Sequence, residues 1–170
     1  MCGKVGGNDM FLVGNYLLSG VSDTDVVYEI RQKVFSDEQG LPDFVVRDDE
    51  DIEAIFAVAY EEEDEKRTPV GTARLLFLGD EFKIGRLCVL KEFRGRGYAD
   101  FLVRMLLDKA FSMGATEVHV DARRHAIGFY KKIGFMENGA EKQTNGFDEQ
   151  PMILKKENLC KKCQENGQNK

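Results

Sequence analysis

Apolar positions along this chain follow two rhythms, one of strands and one of helices. Residues 11–19, 52–60, 69–77 and 82–90 are short apolar runs bounded by glycine or acidic turns, which predicts strands. Val26, Val27, Ile30 and Val34 recur at helical steps. They predict a helix opened by Ser22, with Asp25 in the reciprocal place of a capping box. The clearest helix carries Ala99, Leu102, Val103, Leu106, Leu107, Ala110 and Phe111 on one face, with Asp100, Arg104, Asp108 and Lys109 largely off it and Gly114 as its stop. Residues 117–122 predict another strand, and Ala126, Phe129, Tyr130 and Ile133 a second helical stripe closed by Gly134. A strand near 136–142, a turn at Gly146 and a last strand over 151–155 complete the pattern. Strands alternating with helices predict an α/β layer structure with a mixed sheet, a single domain over 1–155 and a polar tail over 156–170. The stretch 36–51, which holds Pro42, is expected to be a long loop forming one wall of an acceptor pocket.

The most informative junction joins the strand Ile84-Gly85-Arg86-Leu87-Cys88-Val89-Leu90 to the long helix through Arg94-Gly95-Arg96-Gly97-Tyr98-Ala99. A basic glycine turn opening a helix presents main-chain N–H groups and the positive end of the helix dipole to an anion. A dinucleotide fingerprint would need glycine at Asp100, and no Gly-Lys-Ser/Thr triplet of a Walker loop occurs. Glycine also serves many tight turns that bind nothing, so the turn alone does not decide between cradle and architecture.

The strand, the Arg-x-x-Gly-x-Ala turn at 94–99, the helix, the next strand and then Ala-Ile-Gly-Phe-Tyr-Lys-Lys-Ile-Gly-Phe at 126–135 together resemble the GNAT superfamily of acetyl-CoA-dependent N-acetyltransferases. Ile30-Arg31-Gln32-Lys33-Val34-Phe35, Glu38-Gln39-Gly40, the acidic stretch 48–51 and Val70-Gly71-Thr72-Ala73-Arg74 resemble its ElaA-like branch. The resemblance implies a sheet splayed between strands 82–90 and 117–122, with coenzyme A in the gap. Main-chain amides of Arg94, Gly95, Arg96, Gly97, Tyr98 and Ala99 would hold the pyrophosphate, with Arg94 and Arg96 adding charge. Leu87, Cys88 and Val89 would pair with the pantetheine arm, the Val89 N–H would polarise the thioester carbonyl, and Arg123 would contact the coenzyme. Tyr130 would be the general acid, with Phe129 packed beside it. Relatives often keep a glutamate where this chain has Gly85; Asp80 and Glu81 precede the strand but also suit a turn, and deprotonation through water assisted by Glu38, Asp51 or His119 is a further route. Relatives also place glutamine or asparagine at Arg123, and a histidine where Met152 follows Pro151.

Composition narrows the setting. The 170 residues are 42% hydrophobic and 32% charged, and a net charge of −6 argues against nonspecific nucleic-acid binding. The resemblance implies a small-molecule or peptide amine as partner, and no stretch has the length or apolarity of a membrane span. The first residues lack a secretory pattern, so a cytoplasmic or nuclear setting is expected. Cys88 reads as a buried thiol, Cys2, Cys160 and Cys163 as scattered thiols, and no metal site is expected. The acidic run 61–65 reads as a solvated hairpin tip, while 48–51 either stays wet or lines an amine-binding mouth. The activity expected is transfer of acetyl from acetyl-CoA to a primary amine by direct attack in a ternary complex. A noncatalytic acyl-CoA-binding module and a protein-interaction domain are the competing readings, and oligomeric state is not legible.

Overall fold

A computed structural model describes residues 2–4 and 10–159 of the chain. They fall into two compact units interleaved in sequence, one built from 1–77 and 84–108, the other from 78–83 and 109–170.

In the first unit, β1 (Cys2–Lys4), β2 (Phe11–Leu18), β3 (Ile55–Glu63), β4 (Lys66–Leu78) and most of β5 (Glu81–Val89) lie side by side in chain order. The β3–β4 hairpin turns on Asp64 and Glu65, both at positive φ, as a two-residue hairpin turn requires. Its tip is exposed as expected, but Glu61 is buried. Phe56, Ala57, Val58 and Ala59 of β3, with Val70 and Ala73 of β4, are completely buried, so the centre of this sheet is covered on both faces. Gly71 lets strands and helix approach: a Cβ there would meet the Cys88 carbonyl oxygen at 2.9 Å and Leu102 Cδ1 at 3.1 Å. Gly71→Ala is therefore expected to cost about 1–3 kcal/mol in urea unfolding, because a backbone atom cannot swing aside.

The first helix, α1 (Asp25–Arg31), starts later than its pattern predicts. The Ser22 hydroxyl accepts instead from the Leu18 N–H at 3.0 Å, so it braces the turn leaving β2, while the Asp23 carboxylate accepts from the Asp25 N–H at 3.0 Å and Thr24 makes no side-chain cap bond. The helix runs on into a π-helical turn over Gln32–Glu38, in which the adjacent Val34 and Phe35 are both buried. Residues 36–51 are not an open loop: α2 (Asp43–Val46) and a 3-10 turn over Asp49–Glu53 occupy much of the stretch. The capping box lies here, between Asp48 and Asp51, rather than at Ser22.

The long helix α3 (Tyr98–Ser112) buries Leu102, Val103, Leu106, Leu107 and Ala110 completely, as its stripe predicts, and Gly114 follows at φ 97°. In the second unit, β6 (Glu117–Arg123) pairs antiparallel with β9 (Phe147–Lys155), and β9 also pairs with β7 (Met136–Glu137) and β8 (Lys142–Thr144). The expected strand over 136–142 is thus two short pieces, and the last strand starts earlier than expected. Asn145-Gly146, at φ 50° and 83°, forms the two-residue turn between β8 and β9. Strict alternation splits this sheet: Val118, Val120, Ala122, Met152 and Leu154 are buried, while His119, Asp121, Arg123 and Glu149 lie on the other face. The helix α4 (Ile127–Ile133) packs on the buried face, where a Cβ on Gly134 would touch Leu154 Cδ1 at 3.4 Å. Of the expected tail, 156–159 continue from β9 as a helical turn, and 160–170, with Cys160 and Cys163, lie outside the described residues.

Candidate active site

The glycine turn has the backbone its sequence demands. Gly95 and Gly97 take φ of 77° and 87°, with open space around each, a conformation that would strain any L side chain. The Phe101 N–H bonds the Gly97 carbonyl at 3.0 Å, so the helix begins there and the N–H groups of its first turn face outward without intrahelical acceptors. Tyr98 is buried, and Ala99 is half-buried at the start of the helical face. The turn offers the unpaired amides of the first helical turn and the positive end of the helix dipole, with Arg94 and Arg96 beside them in sequence.

Both guanidiniums already hold carboxylates. Arg94 grips Glu38 through two bonds of 2.6 and 2.7 Å, and its Nε donates to the Val89 carbonyl at 2.9 Å. Arg96 donates to Glu61 at 2.8 Å, and Glu61 also accepts from the Tyr98 hydroxyl. Burial, and then this bond to Glu61, raises the Tyr98 phenol well above its ordinary range. The turn is thus pre-shaped but partly neutralised, and an anion would compete with Glu38 and Glu61 for the two cations. The hydrogen bond from Arg94 holds the Glu38 carboxyl below its usual range, so Glu38 is a weak proton acceptor. Glu38→Gln is expected to leave turnover intact and to tighten coenzyme binding by no more than about fivefold, since an exposed ion pair is weak in water. A loss of turnover beyond tenfold in a thiol-release assay would restore Glu38 as a base.

On β5, Arg86 takes φ 51°, a left-handed conformation inside a strand, next to Gly85, around which an added Cβ would find nothing within 4 Å. No carboxylate stands at Gly85. The Arg86 guanidinium donates to Asp48 at 2.7 Å and to the Phe44 carbonyl at 3.3 Å. It joins a buried network that sequence patterning misses. Arg31, with 0% of its side chain exposed, donates to Asp51 at 2.9 Å and to the Val46 carbonyl at 3.1 Å. Arg74 donates to Asp48 at 2.5 Å, to Asp51 at 2.8 Å and to Glu50 at 2.6 Å. Nε and Nη2 of Arg31 have no hydrogen-bond partner among the described residues, but its guanidinium lies 5.3 Å from the Phe56 ring centroid and 5.8 Å from that of Tyr28. Within the acidic stretch 48–51, Asp48, Glu50 and Asp51 are counter-charges of Arg31, Arg74 and Arg86, while Asp49 and Glu50 stay exposed. Asp51, held by two of these arginines, is not an available base. The signal was present in the arginines: Arg31 and Arg74 each interrupt an apolar run.

Leu87 is half-buried, and Cys88 and Val89 are buried on the last turn of β5 before the cradle. Burial pushes the Cys88 thiol up to about 12, so it carries no thiolate at neutral pH and cannot relay an acyl group. In the second unit, Tyr130 sits in the first turn of α4, 6% exposed, with Phe129 and Phe135 edge-on at ring separations of 5.0 and 5.4 Å. Its hydroxyl bonds to no described residue, and burial raises its pKa strongly, so it stays protonated at working pH. His119 lies 3.2 Å from Glu117 on the half-buried face of β6, and Arg123 stacks 3.9 Å from the Phe147 ring centroid. Among the described residues no group of three metal-ligating side chains converges, and no helix is long and apolar enough to cross a membrane.

Comparison with known proteins places this geometry. A protein of Bacillus subtilis (strain 168) that carries an acetyltransferase name is 30% identical over 132 residues, 76% of this chain and 87% of its own length. A Lactobacillus plantarum crystal structure carrying an N-acetyltransferase name superposes with a TM-score of 0.71 at 25% identity, covering 84% of this chain and 97% of that one. Escherichia coli ElaA superposes with a TM-score of 0.70 at 22% identity over 85% of this chain and 99% of its own, a likeness of fold. N-acetylglutamate synthase of Neisseria gonorrhoeae, crystallised with coenzyme A and N-acetyl-glutamate, shares the fold at a TM-score of 0.61 and 17% identity over 84% of this chain and 35% of its own. The sequence profile of the acetyltransferase (GNAT) family matches residues 24–135, and the chain belongs to that family of α/β, mixed-sheet acyltransferases.

Proposed function

We propose that this protein transfers an acetyl group from acetyl-CoA to a primary amine by direct attack in a ternary complex. The reading is carried by the turn at Gly95 and Gly97, whose positive φ angles open α3 toward an anion. The first amides of α3 and the guanidiniums of Arg94 and Arg96 would hold the diphosphate, while backbone groups of Leu87, Cys88 and Val89 would align the pantetheine arm as an added strand. Acetyl-CoA supplies an activated thioester carbonyl. The Val89 N–H would donate to that oxygen as negative charge grows on it, and the Tyr130 hydroxyl would hand its proton to the departing sulfur. A phenol kept protonated by burial suits that step. Direct attack is favoured over a covalent relay because the Cys88 thiol, on the strand that leads into the turn, is neutral.

The test is incubation with acetyl-CoA and a panel of small amines, polyamines, amino sugars and lysine peptides, with released thiol followed in time. Amine-dependent thiol release supports the reading. Saturable coenzyme binding without release on any amine would make the protein a noncatalytic acyl-CoA binder, and the absence of binding would leave only its architecture.

A further inference from the structure

An N-acetyltransferase must take a proton from its acceptor, and the groups that the sequence suggests for this task are engaged elsewhere. Glu38 is clamped on Arg94, Asp51 lies between Arg31 and Arg74, His119 faces Glu117, and Gly85 offers no side chain. One half-buried carboxyl in the second unit is differently placed. Glu149 of β9 stands in register with Arg123 of β6 and Lys142 of β8. Beside it on the same face, Asp121 takes Lys83 at 2.5 Å and Lys142 at 3.0 Å. Both lysines bind Oδ2 of Asp121, and no hydrogen bond or ion pair joins the Glu149 side chain to any described residue.

Its position is that of a ligand-facing group. Arg123, its cross-strand neighbour, ends β6, and ligands of α/β sheets bind beyond the carboxyl ends of such strands. Tyr130 belongs to the first turn of α4, which begins just after that same strand end. The helix packs on the face of Leu154, whereas Glu149 lies on the face of Asp121 and Arg123. Proton acceptor and proton donor thus flank one strand end from opposite faces, so an amine can approach on one side while sulfur departs on the other.

We propose that Glu149 is the general base that accepts a proton from the acceptor amine. This rests on the transferase reading above and deepens it. An incoming ammonium gives its first proton to Glu149, freeing the nitrogen lone pair. The C–N bond forms, the C–S bond breaks with its electron pair going to sulfur, and Tyr130 protonates that sulfur. The second nitrogen proton restores Tyr130 through water, and Glu149 releases its own to solvent, one proton net per turnover. The electrostatics agree: burial, and then Asp121, raises the Glu149 carboxyl, against the opposing pull of Lys83, Lys142 and Arg123. A base with its pKa moved toward neutrality is a better proton acceptor than an ordinary carboxylate. The sign for stability follows. A raised carboxyl favours the folded state at low pH, a contribution lost as pH rises through the folded value, so ionised Glu149 is a cost at pH 7.

The test uses the full chain and Glu149→Gln with acetyl-CoA and the best amine of the panel, over pH 5–9. The wild type should show kcat/KM falling on the acid side. The variant should lose about 10²- to 10⁴-fold near neutrality and lose that acid limb. Its affinity for coenzyme A should be unchanged and its thermal midpoint at pH 7 equal or higher, which a merely structural glutamate would not give. Glu149→Asp should keep the acid limb at an intermediate rate. Wild-type kcat/KM and pH profile in Glu149→Gln would overturn the assignment, as would a loss of activity accompanied by a lower midpoint or lost coenzyme binding. No turnover by the wild type on any amine would overturn the transferase reading itself, and the assignment with it.

Discussion

Tyr130→Phe is expected to lower kcat by about 10²-fold or more while leaving coenzyme affinity and stability unchanged. The two halves of this expectation come from the same observation. The Tyr130 ring is locked between Phe129 and Phe135, so phenylalanine fills the same space. The hydroxyl it removes bonds to no described residue, so its loss breaks no bond among the described residues. An aromatic kept for packing alone would give a variant as active as the parent. Single-turnover measurement with saturating acetyl-CoA, alongside calorimetric binding, separates the two.

The second large effect is on folding. Asp51→Ala should cost about 3–5 kcal/mol in urea unfolding, because it strips Arg31 and Arg74 of a shared partner in a place water does not reach. Arg31 would keep only the Val46 carbonyl and the faces of Tyr28 and Phe56. Adding Arg31→Met to Asp51→Ala should recover part of the loss, since it removes a charge left buried without its carboxylate. If the single variant unfolded like the parent, the network would be no more than surface chemistry. Acid should probe the same network. Burial alone would raise the Asp48 carboxyl, but the bonds and charges of Arg74 and Arg86 outweigh it and hold Asp48 below the usual range. Its stabilising contribution is therefore present above the unfolded carboxylate value and lost as pH falls through the folded one. Asp48→Asn should flatten that part of the acid-unfolding profile.

Where hydrophobic period dominates, the sequence and the structure agree. The stripe of α3, the alternation of β6 and the glycines at 95, 97, 114, 134 and 146 are each forced by one local requirement, either a buried face or a positive φ. Boundaries near Ser22 and over 36–51 were less legible. The Ser22 hydroxyl had a rival acceptor role in the turn behind it, and 36–51 owes its short helices to ion pairs with Arg31, Arg74 and Arg86, up to 38 residues distant. Pairing between distant charges leaves no periodic trace. The same limit explains the site. Tyr130 and the turn could be read from motif and spacing, whereas the engagement of Arg94 with Glu38 and of Arg96 with Glu61 could not. Glu149 was hidden for a further reason: its character comes from burial and then from Asp121 beside it, and that neighbourhood is visible only once β6, β8 and β9 are paired.

Calorimetric comparison of coenzyme A with pantetheine, which lacks the diphosphate, tests the central claim most directly. If the turn at Arg94–Ala99 grips a diphosphate, coenzyme A should bind at least about 100-fold more tightly, the 2.7 kcal/mol or more expected of two or more charge-assisted bonds. Gly97→Val, which forces a β-branched residue into φ 87°, should abolish that difference. Equal affinities for the two ligands, or an advantage that survives Gly97→Val, would contradict the account.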